Sequence, residues 1–304
     1  MLREIVHINS INEYHKVNNL SKPLHPLVSV INFADVKHKA GTSLNVTHGF
    51  YCIALKRLYD GKMKYGQQEY DFDEGVLAFV APNQVMSIEV ENASKLNHSG
   101  WLLIFHPDFL WNTALANKIK TYDFFEYQLK EALHLSEKEE KMLIRIMEDI
   151  HQEYNSNIDN FSQDVIISNL ELLLTYSRRF YQRQFITRKK SNHTILEHFE
   201  FVLNDLLSDE ELALNGLPTV EKIANKLNIS PNYLTRLLKT ITGKSTQSFI
   251  HEKIIQLAKE KLSITELSVN EIAYELGFEH PQSFGKLFKK KTEMTPLEFR
   301  KSYN

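Results

Sequence analysis

The chain has little of what several kinds of chemistry require. Among its 304 residues Cys52 is the single cysteine, which excludes an intramolecular disulfide and any zinc site made of several thiolates, and favours a reducing compartment. The 10 glycines form neither a phosphate-cradling loop nor a Gly-x-Ser-x-Gly elbow. No apolar run reaches membrane-spanning length, and the opening MLREIVHINS lacks the apolar core of a signal peptide. A cytoplasmic protein without a membrane partner is expected. Nor does one charge dominate, since the net value is −2. That near-balance conceals a split: residues 217–304 carry 14 Lys and Arg against 9 acidic residues, or +5, which leaves −7 for the remainder. A basic C-terminal part joined to an acidic partner fits phosphate binding by the former. The length suits two domains with separate cores.

What is present is one pattern written twice. IANKLNISPNYLTRLLKTITGKSTQSF occupies residues 223–249 and IAYELGFEHPQSFGKLFKKKTEMTPLEF residues 272–299. Ile223, Ala224 and Leu227 fall on Ile272, Ala273 and Leu276 at an offset of 49, whereas Leu234, Leu237, Lys239, Thr242 and Phe249 fall on Phe284, Leu287, Lys289, Thr292 and Phe299 at 50. The second turn is one residue longer. In each copy Ile-Ala-x-x-Leu makes a narrow apolar stripe, and its small Ala admits a neighbouring helix. Ser230 is suited to cap a second helix that starts at Pro231, where a missing N–H costs nothing. Leu234, Leu237, Leu238 and Ile241 recur at helical spacing, which leaves Asn232, Tyr233, Thr235, Arg236 and Lys239 on other faces. Gly243 suits a left-handed C-terminal cap. In the second copy Ser268 and Glu271 form a capping box, Gly277-Phe278 makes the turn, and a helix from Pro281 offers Gln282, Ser283, Gly285, Lys286, Lys289 and Lys290 outward. Two helix-turn-helix units are expected, at about 219–243 and 268–292.

The N-terminal part reads differently. Residues 1–26 show no clear period and suggest an arm. LVSVINF, FYCIALKRLY, VLAFVAP, MSIEV and WLLIF are short, rich in β-branched and aromatic residues, and separated by turn residues. Asp60-Gly61 is a hairpin signal, and Asp73-Glu74-Gly75 and Ala81-Pro82-Asn83 are further turns. A small antiparallel barrel or sandwich is expected over about 27–105. Short helices are expected at 107–117 and 123–133, one opened by the Ser136/Glu139 box and running to about 154, and a long one over about 162–185. The apolar stripe of that last helix, Val165, Ile166, Leu170, Leu173, Leu174 and Phe180, is wide enough to serve a second subunit as well. The basic stretch 188–192 marks the domain boundary, and a further helix is expected over about 194–207.

The paired motif, with ISPNYLTRLLK, a linking helix ending LAKEKL, the Gly-Phe turn and the Thr-Pro-x-x-Phe-Arg ending, resembles the DNA-binding domain of AraC/XylS-type transcription regulators over roughly the last hundred residues. The resemblance implies an α+β chain: an effector-sensing and dimerising domain at 1–187, with a small cupin-like barrel and helices, and an all-α DNA-binding domain at 188–304. It implies double-stranded DNA as partner, a homodimer, a small-molecule effector, RNA polymerase as a candidate partner, activation as the outcome, and neither a cofactor nor a metal. In this family the second helix of each motif enters the major groove. The positions matching its base-contacting residues are Asn232, Tyr233, Thr235 and Arg236, then Pro281, Gln282, Gly285 and Lys286; Ser283 shares the outer face. Lys239, Lys244, Lys289 and Lys290 are the expected phosphate contacts. Glu293 stands where the first copy has Gly243, so a left-handed cap there would cost about 1 kcal/mol, and Gly285 weakens its helix by roughly 0.5–1 kcal/mol.

Other readings have less behind them. A cupin-type metal enzyme with a DNA-binding tail would need a close His-x-His pair, and the strand-rich half, where His38 and His48 lie, contains no His-x-His. Cys52 lies in an apolar run without a positive neighbour and reads as a core thiol, not a nucleophile. A repair methyltransferase would need a zinc-bound cysteine set that one cysteine cannot supply.

Overall fold

The computed structural model describes all residues except 1–4, 37–41, 59–62, 66–67, 71–74, 91–97, 128–130, 157–158, 188 and 303–304. The chain divides into two units, residues 1–184 and 185–304. Among the described residues no helix is long and apolar enough to cross a membrane.

In the first unit the strands β1 (Ile5–Ile8), β2 (Val28–Asn32), β3 (Thr42–His48), β4 (Tyr51–Leu58), β5 (Met63–Tyr65), β6 (Gln68–Tyr70), β7 (Val76–Val80), β8 (Met86–Val90), β9 (His98–Phe105) and β10 (Leu133–His134) are interspersed with α1 (Ile11–Val17) and α2 (Leu115–Lys118). They form a five-stranded antiparallel sheet ordered β10-β7-β4-β9-β2, a three-stranded sheet ordered β1-β3-β8, and the pair β5-β6. Among the described residues this is no closed barrel, and the expectation of one is corrected. The reason lies in the strands themselves. Ile31, Cys52, Val80, Leu102 and Ile104 on one face of the larger sheet share a core with Ile8 and Val46 of the smaller one. On the opposite face Phe79 packs on Phe124, Phe125 and Tyr181, with ring centroids 4.3, 5.3 and 6.3 Å away. Strands that are apolar on both faces need cover on both, and a small barrel with a solvated outside does not supply it.

Three further expectations are corrected. The supposed arm contains β1, which pairs in parallel with β3 from Ile5↔Asn45 to Ile8↔His48, and α1, capped by Ser10. Instead of helices at 107–117 and 123–133 there are 3-10 turns at Pro107–Leu110 and Asp123–Glu126, the short α2, and the edge strand β10. The helix expected from about 194 begins earlier, as α5 (Lys189–Leu206). Ala81-Pro82-Asn83 does turn, with Asn83 at φ 65°; Asp60-Gly61, His38, and Asp73-Glu74 lie outside the described residues.

The helices α3 (Glu137–Tyr154), with the Ser136/Glu139 box formed, and α4 (Ser162–Thr187) follow. Ile166, Leu170, Leu173, Leu174 and Phe180 are buried within the chain, whereas Val165 is exposed. His48 is buried beside the rings of Tyr14 and Phe50 and 3.9 Å from the Cys52 thiol. Burial pulls its imidazole down to about 4 and pushes the Cys52 thiol far above its ordinary range, so both are neutral near pH 7, as suits groups of the core.

The second unit is all helical: α5, then α6 (Asp209–Asn215), α7 (Val220–Lys226), α8 (Pro231–Thr242), α9 (Thr246–Ile264), α10 (Val269–Glu275), α11 (Pro281–Thr292) and α12 (Pro296–Lys301). One core serves both motifs. Ile250, Ile254, Ile255, Ala258 and Leu262 of α9 lie in it with Ile223, Ala224, Leu234 and Leu238 of the first copy and Ile272, Ala273, Leu276, Phe284 and Phe288 of the second. At 19 residues α9 is about 28 Å long by helical rise.

Candidate nucleic-acid interface

The two turns are built alike despite the extra residue. Asn228 and Gly277, at φ 56° and 80°, occupy equivalent left-handed positions. Behind them the N–H groups of Ile229 and Phe278 donate to the carbonyls of Ala224 and Ala273, each at 3.0 Å. These bonds close the first helix of each motif with its C-terminal carbonyls satisfied. The insertion therefore lies between Phe278 and Pro281. Ser230 accepts from the Tyr233 N–H at 3.2 Å and caps α8, whereas His280 gives α11 no side-chain cap. The Ser268/Glu271 box opens α10.

The helix ends differ as their sequences require. Gly243 ends α8 at φ 76°, and Glu293 ends α11 in the same conformation at φ 63°. A side chain in that region is strained, and a carboxylate at a helix C-terminus meets the negative end of the dipole. Glu293→Gly is expected to stabilise the chain by about 1 kcal/mol, seen as a raised midpoint in urea unfolding; an unchanged or lower midpoint would show that the cap is unstrained.

The outer faces carry most of the expected residues. Lys239, Gln282, Ser283, Lys286, Lys289 and Lys290 are exposed, while Asn232, Thr235, Arg236, Pro281 and Gly285 are half-buried. Tyr233 departs from expectation: it is buried, 8% exposed, with its ring 5.1 Å from that of Phe185. Sequence spacing put it outward, but a long-range aromatic contact, invisible to spacing, turns it in. Lys244 is exposed as expected, and its ammonium donates to Glu252 at 2.7 Å and holds that carboxyl below its usual range.

Ion pairing separates the lysines into two groups. Lys222 pairs with Glu211 at 3.1 Å, Lys226 with Asp205 at 2.8 Å, and Lys261 with Asp209 and Glu275 at 3.1 and 2.9 Å. Among the described residues Lys239, Lys286, Lys289 and Lys290 have no such carboxylate partner. The outer faces of α8 and α11 thus carry positive charge outside any ion pair among the described residues, although Lys289 is near enough to Glu298 to help hold that carboxyl below its usual range, and such charge suits an external polyanion. The same charge reaches α9, where burial and then Lys291 and Lys290 hold the His251 imidazole below its ordinary range.

Residues that spacing did not single out complete the arrangement. Gly216, at φ 66°, meets the second turn closely, because a Cβ on Gly277 would lie 2.9 Å from the Gly216 carbonyl carbon and the Leu217 nitrogen. Arg300 donates to the Leu262 carbonyl at 3.2 Å and ties α12 to the end of α9. Thr246 is buried against Thr235. Asn228 could have been found, since asparagine is the commonest side chain to take the left-handed region.

Known proteins share this part of the chain. A family model described as a helix-turn-helix domain matches residues 223–302. The chain is similar to an uncharacterized HTH-type transcriptional regulator, YfiF of Bacillus subtilis, at 24% identity over 256 residues, 84% of this chain and 78% of that protein. It is 30% identical over 81 residues to the regulatory protein SoxS of Salmonella typhimurium, covering 27% of this chain and 76% of that one. Among solved structures, the C-terminal domain of the two-component response regulator yesN from Fusobacterium nucleatum is 33% identical, with 33% of this chain and 95% of that chain covered and a TM-score of 0.30. With the doubled motif, its matching turns, the family model and the match to SoxS in view, the chain belongs to the AraC/XylS family of helix-turn-helix transcription regulators.

Proposed function

We propose that this regulator grips one side of a duplex, with α8 and α11 in successive major grooves about 34 Å apart. Arg236 and Gln282 read base edges, and Lys239, Lys289 and Lys290 neutralise phosphates and set the register. The unpaired lysines on the outer faces of α8 and α11 carry this reading. The N-terminal domain, residues 1–187, binds a small-molecule effector and pairs two copies, so that effector binding changes which half-sites a dimer occupies together. That control needs a coupling of only about 1–3 kcal/mol. The outcome is activation of transcription in the cytoplasm, with RNA polymerase as a further partner. The relatives are named as an HTH-type transcriptional regulator and a regulatory protein, which gives no support to a metal-dependent enzyme with a DNA-binding tail.

Selection of bound duplexes from genomic fragments by the full-length chain tests the DNA-reading part. Recovery of one enriched sequence supports it, and recovery of unselected fragments at moderate ionic strength rejects it. Lys289→Ala is expected to weaken binding to every duplex alike and to reduce the salt slope of the binding constant by about one unit. A slope equal to that of the parent protein would remove Lys289 from the phosphate contacts.

A further inference from the structure

Thr235 is the fifth residue of α8, on the flank next to the start of α9. Its hydroxyl oxygen lies 3.2 Å from that of Thr246, the first residue of α9, whose side chain is 0% exposed. Burying a hydroxyl without a partner is costly, and among the described residues Thr235 is the side-chain partner of Thr246. The pair therefore restricts Thr235 about χ1. With Oγ1 engaged by Thr246, the Cγ2 methyl is the remaining heavy atom on the branched Cβ of this half-buried residue, and the one free of a hydrogen-bonding role. A hydroxyl can donate or accept and suits several base edges, whereas a methyl packs on the C5-methyl that thymine alone displays in the major groove.

We propose that Thr235 recognises a thymine through its methyl group, and that Thr246 is the positioning residue that holds the hydroxyl away from the base. This rests on the reading above that α8 enters the major groove. Hydrogen bonding at the neighbouring base pairs falls to Asn232 and Arg236, so the first motif would combine polar contacts with one apolar contact.

The test uses the full-length chain and a duplex obtained by selection. Each thymine is replaced in turn by deoxyuridine, which removes the C5-methyl and keeps base pairing. At one position in the part of the site bound by α8, affinity is expected to fall roughly fourfold, the equivalent of one buried methyl. Thr235→Ser keeps the hydroxyl and deletes the methyl, so it should bind the thymine and uracil duplexes equally at that position. Thr246→Ser should retain the parent discrimination, whereas Thr246→Val frees the Thr235 hydroxyl and should reduce it, with thermal unfolding confirming that each variant is folded. Sequence-selective binding that is indifferent to every uracil, or a Thr235→Ser variant as discriminating as the parent, overturns the assignment. Binding without any sequence preference overturns the groove reading and this one with it.

Discussion

Gly277→Ala is expected to destabilise the DNA-binding domain by roughly 2–5 kcal/mol, as the sum of two separable effects. The backbone there has φ 80°, which costs a side chain about 1–2 kcal/mol. The added carbon would also lie 2.9 Å from the Gly216 carbonyl carbon and the Leu217 nitrogen, both backbone atoms, and relieving such a contact costs roughly 1–3 kcal/mol. Gly243→Ala is the comparison. It has nearly the same φ, 76°, with nothing within 4 Å of the new carbon, so it should show only the conformational part. Urea unfolding of both variants separates the effects. Should Gly277→Ala prove no more damaging than Gly243→Ala, the close approach of the second turn to the loop before α7 would be wrong. A loss at the upper end is a large share of a typical stability of about 5–15 kcal/mol.

Arg236→Ala is the second large effect, and it acts on recognition. Removing a guanidinium that pairs with a guanine edge is expected to cost about 1–3 kcal/mol, a five- to 150-fold loss on the selected site. The loss should be confined to that site. Duplexes altered at one base position should bind the variant as well as the selected sequence does, while unselected DNA keeps nearly its parent affinity. Competition binding across single-position variants measures this directly. A uniform loss over all sequences would make Arg236 a phosphate contact, as expected for Lys289, and would shift base reading in the first motif to other residues. The two variants therefore distinguish positioning from specification, which sequence resemblance alone leaves joined.

Local signals were legible at the level of single caps. Ser230 with Pro231, Ser268 with Glu271, Ser136 with Glu139 and Gly243 each act within a few residues, and each appears where spacing placed it. The core face of α8 was legible for the same reason, because helical period places Leu234, Leu237 and Leu238 on one side, although Ile241, expected with them, is exposed at the end of the helix. Partners distant in sequence were not. β1 is recruited by β3 across some forty residues, and four polar-flanked residues carry no sign of that pairing. The barrel expectation failed because strand pattern tells which residues prefer burial and says little about what buries them; the uninterrupted apolar runs were the available clue to cover on both faces. In the candidate site, Tyr233 was misplaced by its contact with Phe185, and the pairing of the exposed Lys244 with Glu252 was not visible in the sequence.

The sequence by itself determined the doubled motif, its caps, the basic character of the C-terminal part and thereby the family, since all of these depend on spacing over one or two helical turns and on charge. Tertiary structure alone decided which lysines remain without carboxylate partners, which expected readers turn inward, how Gly216 meets Gly277, and that Thr235 shares its hydroxyl with Thr246. The physical reason is range. Helix caps and amphipathic stripes are short-range interactions written in consecutive residues, whereas ion pairs, ring contacts and close backbone approaches depend on where distant segments come to rest.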